Sequence, residues 1–223
     1  MKVYDISGPI ESGMWTYGAP FPAVKIEPVA TLERDGFNSH LFHMSSLSGT
    51  YVENGNHLLA DTESIDRVPV ERFIRRAWVA RLTEKQPHEP ITAEELEASV
   101  GKYVMPGDAL LVSAGWDRYW NKPGFDEQSP FFAPEAMAWI VGKQVGILGT
   151  DITHIQDSRN DDGALLRSFY DSGDGIVLAP LVRLREVAGV GPFTLIALPL
   201  LIPGVNSTPC RAVLMDSEGG QAR

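Results

Sequence analysis

The sequence predicts an α/β domain built on a mixed sheet rather than an all-β sandwich, and three observations carry that prediction. Segments with helical periodicity and capping signals alternate with strand-like segments along the chain. Two short apolar runs, residues 109–113 and 145–149, have no polar face and so belong inside a sheet covered on both sides. Residues 24–34 and 38–47 alternate in the manner of half-buried strands and flank Asp35-Gly36, a hairpin turn signal. No composition shift, repeat or low-complexity run divides the chain, so residues 1–223 read as one domain.

Residues 3–6 form a short strand candidate. The following stretch, 7–20, is punctuated by Gly8, Pro9, Gly13, Gly18 and Pro20 and cannot hold a long helix or central strand. Trp15 and Tyr17 in this loop are candidate substrate-binding residues, since loops carry binding groups on a rigid scaffold. The hairpin then leads into residues 46–57, where a small-residue turn is followed by Tyr51, Glu53 and His57. These three are the candidate catalytic residues. An imidazole exchanges protons near neutrality, a carboxylate can orient it, and a phenol can donate to a developing oxyanion. Asn54 and Asn56 add neutral donors and are candidate substrate-binding residues. His43, inside a strand candidate, reads as structural.

Pro69 suits the first turn of a short helix, and residues 77–82 read as a strand. Thr92 and Glu95 form a capping box that starts a helix running to about Val100. Residues 106–108 turn into the buried strand 109–113, and residues 114–120 follow it at the position where α/β folds commonly set pocket loops, which makes Trp116 a substrate-binding candidate. A helix over 134–141 begins at Pro134, and the second buried strand ends at Thr150-Asp151, placing Asp151 as a further substrate-binding candidate. Residues 151–163 are polar, and Asp161 and Asp162 read as solvated loop carboxylates. A short helix over 164–170, a strand over 175–178, an apolar strand over 193–201 broken by Pro199 and a closing strand over 211–215 complete the chain.

A net charge of −10 and a pI near 4.9 argue against nucleic acid or an anionic membrane surface as the partner, because both require basic patches. The single cysteine, Cys210, excludes an internal disulfide framework and a cysteine-built zinc site, and reads as a buried packing residue. The N-terminus lacks a signal-peptide apolar region and no run reaches membrane-spanning length, so a cytoplasmic location is expected.

With these residues in place, nearly the whole chain resembles the cyclase family that includes bacterial kynurenine formamidase and isatin hydrolase. Asp5-Ile6-Ser7 with Gly13-Met14, the segment Gly115-Trp116-Asp117-Arg118-Tyr119-Trp120, Gly149-Thr150-Asp151, Pro199-Leu200 and Pro209-Cys210-Arg211-Ala212 follow the family's order and spacing. The resemblance implies a swivelling β/β/α-type single domain with a mixed, barrel-like sheet and flanking helices. It also implies a homodimer or homotetramer with a small-molecule substrate.

The family's signature, His-x-Gly-Thr-His-x-Asp-x-Pro-x-His, falls on residues 47–57. Its metal-binding positions, which in the family hold zinc or manganese, are Leu47, Tyr51 and Glu53 here; Gly49, Thr50 and the acid/base histidine, His57, are retained. A second ligand set, a His and a Glu twelve residues later in the family, falls within a residue or two of Arg167 and Ala179, and neither offers a ligand. The expectation is therefore a metal-independent cyclase or hydrolase, with no cofactor, that acts by acid–base catalysis on a small lactone, amide or polyketide-like carbonyl substrate. Two alternatives are a metal-dependent amide hydrolase with ligands rebuilt from Glu53, His57, His154 and Asp157, and a non-catalytic binding or assembly subunit.

Overall fold

The fold is described from a computed structural model, over residues 1–173 and 175–216. In chain order the elements are β1 (Val3–Asp5), β2 (Lys25–Ala30), the single turn α1 (Leu32–Asp35), β3 (Ser39–His43), β4 (Tyr51–Asn54), β5 (Ile74–Arg81), β6 (Pro90–Ile91) and α2 (Ala93–Val100). They continue with β7 (Ala109–Ser113), β8 (Phe131–Phe132), α3 (Pro134–Gly142), β9 (Ile147–Thr150), α4 (Ala164–Asp171), β10 (Ile176–Ala179), β11 (Phe193–Pro199) and β12 (Ser207–Asp216). A sheet of eight strands runs β1-β12-β11-β5-β7-β9-β10-β4, and a further pairing of β4 with β12 closes the seven from β12 to β4 into a barrel, with β1 added outside on β12. β5, β7, β9 and β10 are parallel neighbours, whereas β4, β11 and β12 join antiparallel, so the sheet is mixed.

Strand periodicity sorts the core into two layers. Val52, Ala77, Val79, Leu111, Ile147, Ile176 and Leu178 fill the barrel interior. Their alternates, Trp78, Leu110, Val112, Leu148, Val177 and Ala179, pack outward against Leu96, Met137, Ile140 and Phe169 on the helices. This explains why β7 and β9 read as wholly apolar: both faces are covered. The capping box is formed, with Thr92 Oγ1 accepting from the Glu95 amide and Glu95 Oε2 accepting from the Thr92 amide, and α2 ends at Val100.

Two expectations change. Residues 24–47 do form a hairpin, but the chain reverses through α1, capped by Thr31 and released at Gly36 in the left-handed region (φ 76°), and the strands are shorter than their alternation suggested. Neither face of the hairpin is well buried, so β3 is not a barrel strand delivering the chain to the site. Residues 51–54, to which the sequence assigns no element, are the strand that closes the barrel. No helix among the described residues is long and apolar enough to cross a membrane.

Candidate active site

Tyr51 and Glu53 lie two residues apart on β4 and so share one face, the outward one, next to Val177 and Ala179 of β10. Above that face the loop 7–24 and α4 enclose a cavity of about 400 Å³. Tyr51, Glu53 and His57 all line it, with Tyr17, Phe21, Leu47, Leu58, Thr153, His154 and Leu166. The retained Gly49-Thr50 pair is scaffold. Gly49 sits at φ 68°, where a Cβ would come within 2.5 Å of Ile10, and the Thr50 hydroxyl accepts from the Gly8 amide at 2.8 Å while donating to the Pro180 carbonyl at 2.5 Å. One threonine thereby stitches the N-terminal loop and the end of β10 to the start of β4.

The cavity has an acid–base end. Glu53 is buried, Oε1 accepts from the Tyr170 hydroxyl at 2.6 Å, and Oε2 lies 3.5 Å from His57 Nδ1. Burial raises the Glu53 pKa, and the His57 charge and the Tyr170 hydrogen bond pull the other way. The Asn206 side chain meets the same His57 nitrogen at 3.2 Å. Nδ1 is therefore the ring nitrogen held by the protein, and Nε2 is left to exchange protons with water or a ligand. Tyr51 is hydrogen-bonded to Tyr17 at 2.8 Å, and burial, with Tyr17 and Glu53 adding, keeps its phenol well above its ordinary pKa.

At the opposite wall His154 Nε2 lies 3.0 Å from Asp126 and Nδ1 lies 3.9 Å from Asp161. Burial works against its charged form, but the hydrogen bonds and charges of the two carboxylates outweigh it and hold the imidazole up to about 9. His154 is thus an imidazolium at neutral pH. Asp161, expected to be only a solvated carboxylate, lines the cavity as its counter-ion, with its own pKa lowered by that partner.

The remaining substrate-binding candidates lie elsewhere. Trp15 sits behind Tyr17, packed edge-on against Tyr17, Trp120 and Phe125, and does not reach the cavity. Trp116 is buried in the core with its Nε1 donating to the Phe125 carbonyl. Asn54 caps the turn after β4, bonding the Glu63 carbonyl and the Asn56 amide, and Asn56 bonds the Thr62 carbonyl; both secure the loop beyond β4. Asp151 is fully buried and accepts from the Ala114, Gly115 and Trp116 amides and the Ser113 hydroxyl. Burial pushes it up to about 7 against those donors, and its role is to clip the end of β9 to the loop after β7.

A divalent cation needs oxygen, nitrogen or thiolate donors. Of the family's ligand positions, Leu47 has none, the Tyr51 phenol stays protonated, and Glu53 is shared by Tyr170 and His57; at the second set Arg167 is a cation that donates to the Leu58 carbonyl and Ala179 is apolar. The rebuilt set does not converge either: Asp157 is paired with Arg159 at 2.6 Å, and among the described residues no three His, Cys, Asp or Glu side chains form a metal-holding group. The residues present do not fit the family's metal. Cys210 carries a thiol that burial pushes up to about 12 and takes no part in the cavity.

Sequence reading missed Tyr170, Asn206, Thr153 and the counter-ion role of Asp126. Tyr170 stands 117 residues from Glu53 and Asn206 stands 149 from His57, so only the closed barrel brings them together. No local pattern announces such contacts.

The chain is similar to kynurenine formamidase of Salinibacter ruber, at 25% identity over 83% of each chain, and to that of Bacillus cytotoxicus, at 25% over 94% of this chain and 95% of the relative. Among solved structures it superimposes on an isatin hydrolase bound to the product analogue thioisatinate with a TM-score of 0.85, at 20% identity, covering 97% of this chain and 93% of the other. Isatin hydrolase A from Labrenzia aggregata, bound to benzyl benzoate, gives the same TM-score at 18% identity, covering 97% of this chain and 94% of that one. The Cyclase family model matches residues 4–157, more than half of the chain and inclusive of β4 and its cavity-facing side chains, so the chain belongs to the Cyclase family.

Proposed function

We propose that the chain is a metal-independent hydrolase of the Cyclase family that acts on a small carbonyl compound, a lactone or amide, by acid–base catalysis. One observation carries the reading: a buried Glu53 meets His57 at the end of an apolar cavity, while the side chains at the family's ligand positions offer no cation site. In the tautomer whose Nδ1–H faces Glu53, His57 Nε2 takes a proton from water as its oxygen attacks the carbonyl carbon, Glu53 stabilises the imidazolium that forms, and the same nitrogen returns the proton to the departing nitrogen or oxygen. Tyr51 supplies a hydrogen bond to the oxyanion. The names of the relatives, a formamidase and isatin hydrolases, favour hydrolysis over ring closure.

The test is turnover of isatin and of N-formylaniline by protein stripped with a chelator. Activity should survive stripping, and His57→Ala should lower kcat by about 10²- to 10⁴-fold. Activity that appears only with added zinc or manganese would overturn metal independence, and a protein inactive with and without metal would favour the binding-subunit role.

A further inference from the structure

The Tyr51 hydroxyl does not stand alone. It lies 2.8 Å from the Tyr17 hydroxyl, which in turn lies 3.2 Å from the Thr153 carbonyl. Two phenols carry two protons between them. If Tyr51 donates to Tyr17 and Tyr17 to Thr153, both protons are spent and Tyr51 shows the cavity only lone pairs. If Tyr17 donates to Tyr51, the Tyr51 proton is freed for a ligand and the Thr153 carbonyl gives up its phenol. Burial holds both phenols above their ordinary pKa, so the change is a rotation of two O–H bonds rather than an ionisation.

A second observation points to a ligand at the same place. Thr153 lines the cavity, is 7% exposed, and its buried Oγ1 has no hydrogen-bond partner among the described residues. A hydroxyl left unpaired in a low-dielectric wall is costly, and a ligand oxygen would relieve it. The charges around the trio are set: His154 packs edge-on against Tyr17 at 5.8 Å and is balanced by Asp126 and Asp161, and Glu53 lies on the other side of Tyr51. With no unpaired cation among the described residues that line it, such a site suits an oxygen whose negative charge is spread over a ring, and Phe21, Leu47, Leu58 and Leu166 give the cavity apolar walls.

We infer that Tyr17, Tyr51 and Thr153 form a neutral three-hydroxyl site for the oxygen of a planar ring oxyanion, an enolate or phenolate, and that Tyr17 is the positioning residue that decides whether Tyr51 donates. The inference rests on the reading above only in placing the ligand in this cavity.

The probe is 4-nitrophenol, whose neutral and ionised forms absorb at different wavelengths, with nitrobenzene as a neutral ring of similar shape. The unaltered protein binds 4-nitrophenol as the phenolate. Tyr51→Phe weakens phenolate binding tenfold or more, Tyr17→Phe weakens it about tenfold although its ring packing is kept, and Thr153→Val weakens it severalfold, while nitrobenzene affinity is unchanged in all three. Absence of phenolate binding by the unaltered protein, or equal loss of nitrobenzene and phenolate affinity in Tyr17→Phe, overturns the site. Phenolate binding lost in Tyr51→Phe but intact in Tyr17→Phe overturns the relay. His57→Ala, which lowers the proposed hydrolysis, leaves phenolate binding in place, so the two readings fail separately.

Discussion

At the scale of single residues, a carboxylate at a strand end can serve either chemistry or structure, and its donors decide which. Asp151 is encircled by three amides and a hydroxyl, and Asp151→Ala would strand them without partners in the core. A loss of about 3–5 kcal/mol in unfolding free energy is expected, measured by urea denaturation; a loss under about 1 kcal/mol would contradict the clip. His154 gives a pH signature. Its folded pKa, about 9, lies above the ordinary value of 6.5, so its contribution to stability is complete below pH 6.5 and vanishes as pH rises through 9. The contribution is on the order of 3 kcal/mol. Unfolding followed from pH 6 to 10 should show this decline, and His154→Asn should flatten it.

At the scale of elements, the hairpin of β2 and β3 stands apart from the barrel and carries Val29, Leu32, Phe37, Leu41 and Phe42 exposed. A lone two-stranded hairpin is marginal in water, and large apolar side chains left exposed on it signal a contact. We expect this arm to bury itself against another copy of the chain. Light scattering should then report a dimer or tetramer, and Phe42→Glu should raise the dissociation constant at least tenfold, about 1.4 kcal/mol; a monomer at high concentration would refute the expectation. The helices behave differently. α2 and α3 carry their own start signals, Thr92 with Glu95 and Pro134, and were legible for that reason. β4 was not, because four residues flanked by Gly49 and Gly55 have no periodicity to display.

At the scale of the whole molecule, the buried strands and capped helices were readable because each is dictated by neighbours in sequence: β7 and β9 declare themselves by lacking a polar face. That Tyr51, Glu53 and His57 share one cavity was readable because β4 and the turn after it keep them local. Trp116 and Asp151 misled because an aromatic or a carboxylate beside a buried strand looks the same from sequence whether it faces a cavity or the core. Tyr170, Asn206 and Thr153 were out of reach, since closure of the barrel alone makes them neighbours of the site. That closure has a temporal side. β4 is made early in the chain, yet its two ladder partners are β10 and β12, so during synthesis both its edges wait for residues 176–179 and one of them waits until residues 207–209 leave the ribosome. Glu53 and Tyr51 therefore gain their working positions only when almost the entire chain exists, and a polypeptide truncated before β12 would carry the motif without the site.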